Sequence, residues 1–380
     1  MNLFEVYPRY KVEPVKGNGC YVWDKEGNQY LDLYGGHAVI SIGHSHPHYI
    51  KRIQSQLSEL AFYSNSVQMS IQNEMAHKLG VLSGYEDHSF FLCNSGAEAI
   101  ENALKVASFH TGKKKVIVFE NAFHGRTSLA IEATDGGKIQ APINHTGNFI
   151  RLPWNDEKQL EKNMDESVGA VLIEGIQGLS GVHVPTSLFL QEISQLCKKY
   201  NAAFIADEIQ SGYGRSGKFF AHQYTGVKPD IITVAKGIGN GFPVGGVLIA
   251  PHIKPWTGML GTTFGGSHLA CAAGLAVLEV LEKESLIENA AQIGDLLSTE
   301  LKEIEGVSEV RGRGLMIGIS LDQPVKDIRD RLVFDHGIFT GSSTDPHTLR
   351  ILPPLSLTEQ QAEEFLSKFK LAIHESFSFH

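Results

Sequence analysis

Short apolar runs rich in β-branched residues alternate with longer amphipathic segments through the middle of the chain, and few folds accept that rhythm. The runs lie at 116–119, 170–173, 203–206, 231–235 and 247–249, with helix-periodic stretches such as 97–110 and 188–200 between them. Strands covered by helices on both faces read as continuously apolar rather than alternating. The pattern therefore implies an α/β architecture, a mostly parallel sheet sandwiched by helices. At 380 residues the chain is longer than one hydrophobic core usually serves, so a second domain is expected. Beyond about Ser267 the texture changes to a long helical pattern at 269–281, a strand-like 314–321 and a final helix from Thr358, which describes a smaller α+β domain. Ahead of the alternating region, 21–23 and 29–33 flank a turn at 24–28 and form a candidate hairpin. The residues Tyr49, Ile50, Ile53, Leu57 and Leu60 recur at helical spacing over 47–60. The expected division is an N-terminal segment 1–45 packed with the small domain, a large domain 46–266 and a small C-terminal domain 267–380.

Composition mainly excludes. A formal net charge of −9 argues against a nucleic-acid binder, which would carry a basic face. The four cysteines, Cys20, Cys93, Cys197 and Cys271, are scattered without a C-x-x-C pair, so neither a zinc ribbon nor a disulfide framework is indicated. No apolar run has membrane-spanning length, and the first ten residues lack a signal-peptide pattern. A cytoplasmic protein with no membrane partner is the expectation.

In an open α/β sheet, ligands sit beyond the carboxyl ends of the strands, so the residues that follow each run carry the chemistry. Asp207 closes the run at 203–206 and Lys236 closes the run at 231–235. A structural ion pair would explain those two residues alone as well as a functional site. Asn94-Ser95-Gly96-Ala97-Glu98 opens a helix with the spacing of a capping box, and Gly96 lets a ligand approach first-turn amides that attract phosphate. Phe123-His124-Gly125-Arg126 follows the run at 116–119. Phe123 can cover a planar ring, and Arg126 can hold a carboxylate in two-pronged fashion. Each feature has a bland reading as a helix cap, a loop aromatic or a surface arginine. Together they provide an amine for a Schiff base, a carboxylate for a pyridine nitrogen, a phosphate cradle and a ring-stacking aromatic. Those are the demands of pyridoxal phosphate.

On these residues the chain resembles the class III, fold type I pyridoxal-phosphate-dependent aminotransferases, and within them the acetylornithine/succinylornithine branch. The resemblance runs nearly end to end. It rests on Asn94-Ser95-Gly96-Ala97-Glu98-Ala99, Phe123-His124-Gly125-Arg126-Thr127, Asp207-Glu208-Ile209-Gln210, Pro229-Asp230, Ala235-Lys236-Gly237, Thr262-Thr263-Phe264-Gly265-Gly266, and Leu349-Arg350 ahead of Pro353-Pro354-Leu355. The resemblance implies that Lys236 holds the cofactor and then acts as general base, that Asp207 keeps the pyridine nitrogen protonated, and that Gln210 bonds the ring hydroxyl. It implies that Phe123 stacks on the ring, and that Ser95, Gly96 and Ala97 bind the phosphate with Thr263 from a partner subunit. A homodimer with shared active sites follows. The implied reaction moves the δ-amine of an N-acylornithine to 2-oxoglutarate, giving an N-acylglutamate semialdehyde and glutamate, in arginine biosynthesis. An ω-aminotransferase for ornithine, 4-aminobutyrate or another diamine, a same-fold aminomutase and a non-catalytic cofactor-binding protein are the competing readings.

Substrate choice reduces to counting carboxylates. By resemblance, Arg350 takes the α-carboxylate of glutamate and Arg126 takes the distal one. An N-acylornithine leaves Arg350 idle, and relatives neutralise it with a glutamate in a Q-G-E-x-G stretch. Here that stretch is Gln177-Gly178-Leu179-Ser180-Gly181, with Leu179 at the gate. Water, an anion or a second substrate carboxylate, such as that of N-succinylornithine, is expected to meet the guanidinium. Gly175 stands where relatives often have proline, and Ser267-His268 where they often have Asn-Pro.

Three further signals carry less. His44, His46 and His48 alternate but lack a completing ligand, so a helix start with capping histidines is expected and no metal. Gly237-Ile238-Gly239-Asn240-Gly241 lacks dinucleotide-loop spacing. Lys113-Lys114-Lys115 reads as a solvated helix end.

Overall fold

The computed structural model describes residues 1–377. Three strands open the chain: β1 (Pro14–Asn18), β2 (Tyr21–Asp24) and β3 (Gln29–Asp32), paired antiparallel in sequence order. The expected hairpin is present, and Asp24 explains its tightness. Its carboxylate accepts from the backbone N–H groups of Glu26 and Asn28 and from the side chains of Asn28 and Tyr30, all at 2.8–3.0 Å.

The central sheet has seven strands: β4 (Ser89–Cys93), β5 (Lys115–Phe119), β6 (Phe149–Leu152), β7 (Val168–Glu174), β8 (Ala203–Asp207), β9 (Ile231–Val234) and β10 (Gly245–Ile249). Their order across the sheet is β4-β10-β9-β8-β7-β5-β6. The pairs β6–β5, β5–β7, β7–β8 and β8–β9 are parallel, and β10 alone runs against both its neighbours, β9 and β4. Every residue of β7, β8 and β9 is buried, which is why these segments carry no polar alternation. Two strands lie outside the runs read from the sequence. Both are edge strands: β4 buries only Leu92 and Cys93, and β6 buries only Leu152 and carries Arg151. Register sets Glu174 beside Asp207, and Asp207 beside Thr233, along one rim. At the same rim Gly245 begins β10, where a Cβ would lie 2.8 Å from the Ser95 carbonyl oxygen and 3.1 Å from that of Val234.

The helix Gly96–Thr111 starts at the Ser95 cap and stops at left-handed Gly112. Its small buried face, Ala99, Ala103 and Ala107, brings it close against the sheet. The helix His268–Lys283 is buried over most of its length and packs on the helices Pro47–Glu59 and Ser70–Ser83. Beyond it come β11 (Val307–Arg313), β12 (Met316–Leu321), β13 (Ile338–Phe339), β14 (Gly341–Ser342) and β15 (Thr348–Ile351). Four of these form the antiparallel sheet β11-β12-β15-β14, while β13 joins β3 in parallel. The helix Glu359–Phe377 closes the described chain.

Two minor expectations resolve here. His46 caps its helix by accepting from the His48 amide at 3.2 Å, and His44, His46 and His48 each meet a different carboxylate, of Asp32, Glu284 and Glu279. The lysine run is not simply solvated, which corrects the reading above. Lys113 donates to the carbonyls of Tyr200 and Asn201 at 2.6 and 3.0 Å, and Lys115 begins β5. Free carbonyls at the end of the helix Ser187–Lys199 attract a cation, and Lys113 supplies it.

Candidate active site

The strand ends at the carboxyl rim converge on one cavity of about 560 Å³, within the range of small-ligand sites. Ser95, Gly96 and Ala97 line it from a helix start, Phe123 and Arg126 from the loop after β5, and Asp207 and Gln210 from the end of β8. Lys236 lines it after β9, and Arg350 from β15. Nine of the ten residues singled out from the sequence therefore share a single space. Thr263 does not line it and lies exposed on the loop before the helix His268–Lys283.

Lys236 takes a left-handed backbone, φ 52°, an unfavourable conformation of order 1 kcal/mol for a residue with a Cβ. That turn sits at the end of β9, where the side chain faces the cavity. Burial lowers its amine to about 8, although the charges of Asp207 and Glu174 oppose the shift, and Arg350 adds to it. No hydrogen bond holds the amine among the described residues. It is an available base.

Asp207 is buried and fully engaged. One carboxylate oxygen takes His124 Nδ1 at 2.7 Å, and the other takes the Ile209 amide at 3.0 Å and the Thr233 hydroxyl at 3.3 Å. His124 was quoted in the Phe123–Arg126 motif without a role, yet it is the most direct partner of the catalytic-site acid. Its Nε2 has no partner among the described residues. Glu174 was also missed. It closes β7 and accepts from the amides of Phe123 and Gly178 at 3.0 and 3.1 Å, so it braces the loop after β5 and the loop after β7 together. Burial raises its carboxyl to about 7; His124 lowers it, Asp207 raises it, and the two amides lower it. Glu174 directly follows the apolar run at 170–173, whereas His124 lies five residues beyond the end of β5 and has no such local signal.

Gly175 and Ser267 now have reasons. The Gly175 amide donates to the Asp207 carbonyl at 2.9 Å, and a Cβ there would stand 2.6 Å from the buried Glu208 carboxylate. Ser267 caps the helix His268–Lys283, accepting from Ala270 at 3.3 Å. The helix at Ser95 is capped in the same way, from Glu98 at 3.2 Å, while Glu98 reaches back to the Asn94 amide at 2.8 Å. At Gly96 a Cβ would meet Ile209 at 3.0 Å and Ala235 at 3.5 Å, so the first-turn amides stay open to the cavity. Gln210 donates to the His37 carbonyl at 3.2 Å.

A family model described as aminotransferase class-III matches residues 6–373. The chain belongs to that family. Among curated relatives it is 41% identical over 379 residues to the acetylornithine aminotransferase of Bacillus subtilis, covering 98% of this chain and 97% of that one. It is 39% identical to that of Archaeoglobus fulgidus, with 96% of each chain covered. Among solved structures, acetylornithine aminotransferase from Elizabethkingia anophelis superposes with a TM-score of 0.85 at 34% identity, covering 97% of this chain and 95% of that chain. Ornithine aminotransferase from Toxoplasma gondii superposes at 0.91 with 28% identity, covering 98% and 93%. The protein is an aminotransferase, and its cofactor is pyridoxal phosphate. The cavity fits that group: an unpaired amine, a buried carboxylate, an open helix start and an aromatic face all line it. No described helix is long and apolar enough to cross a membrane.

Proposed function

We propose that this aminotransferase moves the δ-amine of an N-acylornithine, N-acetylornithine in the first place, to 2-oxoglutarate, yielding an N-acylglutamate semialdehyde and glutamate in arginine biosynthesis. The observation that carries the reading is a pair of arginines in one cavity. Arg126 is exposed at the mouth and Arg350 is only 2% exposed inside. Two guanidinium groups in the cavity that holds the reacting amine suit a five-carbon oxo-acid with a carboxylate at each end.

When bound, pyridoxal phosphate supplies an electrophilic carbon and an electron sink. Lys236 then moves the proton from the donor's amine-bearing carbon, a task its lowered basicity favours near neutral pH. The Asp207 carboxylate, oriented by His124, holds a proton on the ring nitrogen. Ser95, Gly96 and Ala97 present backbone N–H groups and a hydroxyl to the phosphate. Phe123 would cover the ring, Gln210 would bond its hydroxyl, and Arg126 would orient the substrate carboxylate.

Thr263 fits as a phosphate ligand contributed by a second copy, since it is exposed beside Phe264, which is 63% exposed and packs on Phe62. We therefore propose a homodimer, in the cytoplasm, with domain limits near residues 46 and 266. A panel of N-acetylornithine, N-succinylornithine, ornithine and 4-aminobutyrate, each with 2-oxoglutarate, tests the reading through glutamate formation. Faster turnover of ornithine or 4-aminobutyrate than of both N-acylornithines would overturn it.

A further inference from the structure

Arg350 is a buried cation without a counter-ion. Its Nε donates to the Ser342 carbonyl at 2.6 Å, and one terminal nitrogen reaches Gln210 Oε1 only at 3.5 Å. A guanidinium has five N–H donors, so most of its capacity is unspent. Among the described residues it makes no ion pair. Glu174 is the carboxylate whose charge it feels, but that group is tied to the Phe123 and Gly178 amides.

The gate loop, Gln177-Gly178-Leu179-Ser180-Gly181, carries no acidic side chain to supply the charge. Leu179 lines the cavity at the gate, and its carbonyl accepts from the Thr344 amide at 3.0 Å and the Ser343 hydroxyl at 3.1 Å. The gate loop is thus pinned to the segment whose Ser342 pins Arg350. A donor reacting through a terminal amine carries no carboxylate on its reacting carbon to meet Arg350. Leaving a desolvated guanidinium unpaired is strongly unfavourable.

We propose that Arg350 holds a carboxylate-sized anion during the half-reaction in which the donor reacts through its terminal amine, and that this anion is a required component of that half-reaction. The inference rests on the reading given under Proposed function. Two sources carry the same chemistry: a second carboxylate on the donor itself, as in an N-succinyl group, or a free small anion such as formate. In the other half-reaction the α-carboxylate of glutamate takes the same place, so the anion that assists one half-reaction competes with the other.

The test follows the two half-reactions separately in the holoenzyme, titrating formate at constant ionic strength against a bulky sulfonate. With N-acetylornithine, formate should raise the rate about tenfold, ~1.4 kcal/mol; with glutamate it should raise KM and leave kcat unchanged. If N-succinylornithine reacts rapidly without formate, the donor's carboxylate is the source. If both acylornithines need formate, the free ion is. Leu179→Glu, which supplies an internal carboxylate, should remove both formate effects, and Leu179→Gln should keep them. An N-acetylornithine rate indifferent to formate, with no preference for the succinyl donor, overturns the proposal. If no N-acylornithine reacts at all, the substrate reading fails instead. The anion site is then judged by formate competition with glutamate and by a formate-dependent rise in holoenzyme Tm that Leu179→Glu lacks; absence of both overturns it.

Discussion

Replacing Gly178 by alanine should disable the site through Gln210 alone. A Cβ at 178 would stand 1.8 Å from Gln210 Oε1 and 2.9 Å from its Cδ, with Met316 Cε at 3.3 Å behind. The loop cannot retreat easily. The Gly178 amide is bound to Glu174, and its carbonyl accepts from the Gly181 and Val182 amides at 3.3 and 3.4 Å. Gln210 must therefore move, losing its bond to the His37 carbonyl and its contact with Arg350. A lost neutral hydrogen bond costs about 1 kcal/mol, and overpacking of this kind about 1–3 kcal/mol. Because the obstructing atom is the free end of a flexible side chain, the combined penalty falls at the low end, about 2 kcal/mol, a roughly 30-fold fall in kcat/KM for 2-oxoglutarate. The decisive assay is a double-mutant cycle. In a Gln210→Ala background the obstruction is gone, so adding Gly178→Ala should change kcat/KM by less than about twofold, with the coupling energy accounting for the difference. Additive losses across the cycle, or a Gly178→Ala enzyme within about threefold of wild type, would refute the steric account.

Lys236→Ala should lose the visible absorbance of covalently held cofactor and at least roughly a hundredfold in turnover, the low end for removing a general base; retained colour and rate would contradict the role given to Lys236. Glu174→Gln should alter the pH dependence of stability. Burial raises this carboxyl from 4.5 to about 7, so between those values the folded chain keeps a proton that the unfolded chain has released. Wild-type stability attributable to this group falls as pH rises from about 4.5 to 7, and the variant lacks that fall. The difference in unfolding free energy should move by roughly 3 kcal/mol in the variant's favour across that window. Denaturant titrations giving parallel pH profiles would show that the carboxyl is not perturbed.

Most of the central sheet was legible because burial on both faces removes polar alternation, and that signature is strong at 170–173, 203–206 and 231–235. Lys236 and Asp207 were legible for a related reason: a charged residue directly after such a run has nowhere to go but the rim. His124 and Glu174 were not assigned because their roles depend on cross-strand register. Nothing local says that the loop after β5 returns its histidine to the acid at the end of β8. β4 and β6 escaped notice because an edge or near-edge strand need not be apolar throughout. Lys113 misled because a run of three cations looks solvated until a second helix end is known to lie beside it. The expectation for Thr263 rests on resemblance alone, since the residue lies outside the cavity of its own chain.

Gly245 works as a gauge. Ser95 follows β4 and Lys236 follows β9, and only β10 lies between those two strands. Two inter-strand steps amount to roughly 10 Å, so backbone hydrogen bonding, not any side chain, meters the distance between the helix start at Ser95 and the Lys236 turn. The intervening strand starts with a residue that adds no bulk between the Ser95 and Val234 carbonyls. Substitutions in the pocket walls leave that spacing as it is, because it is set by the strand order.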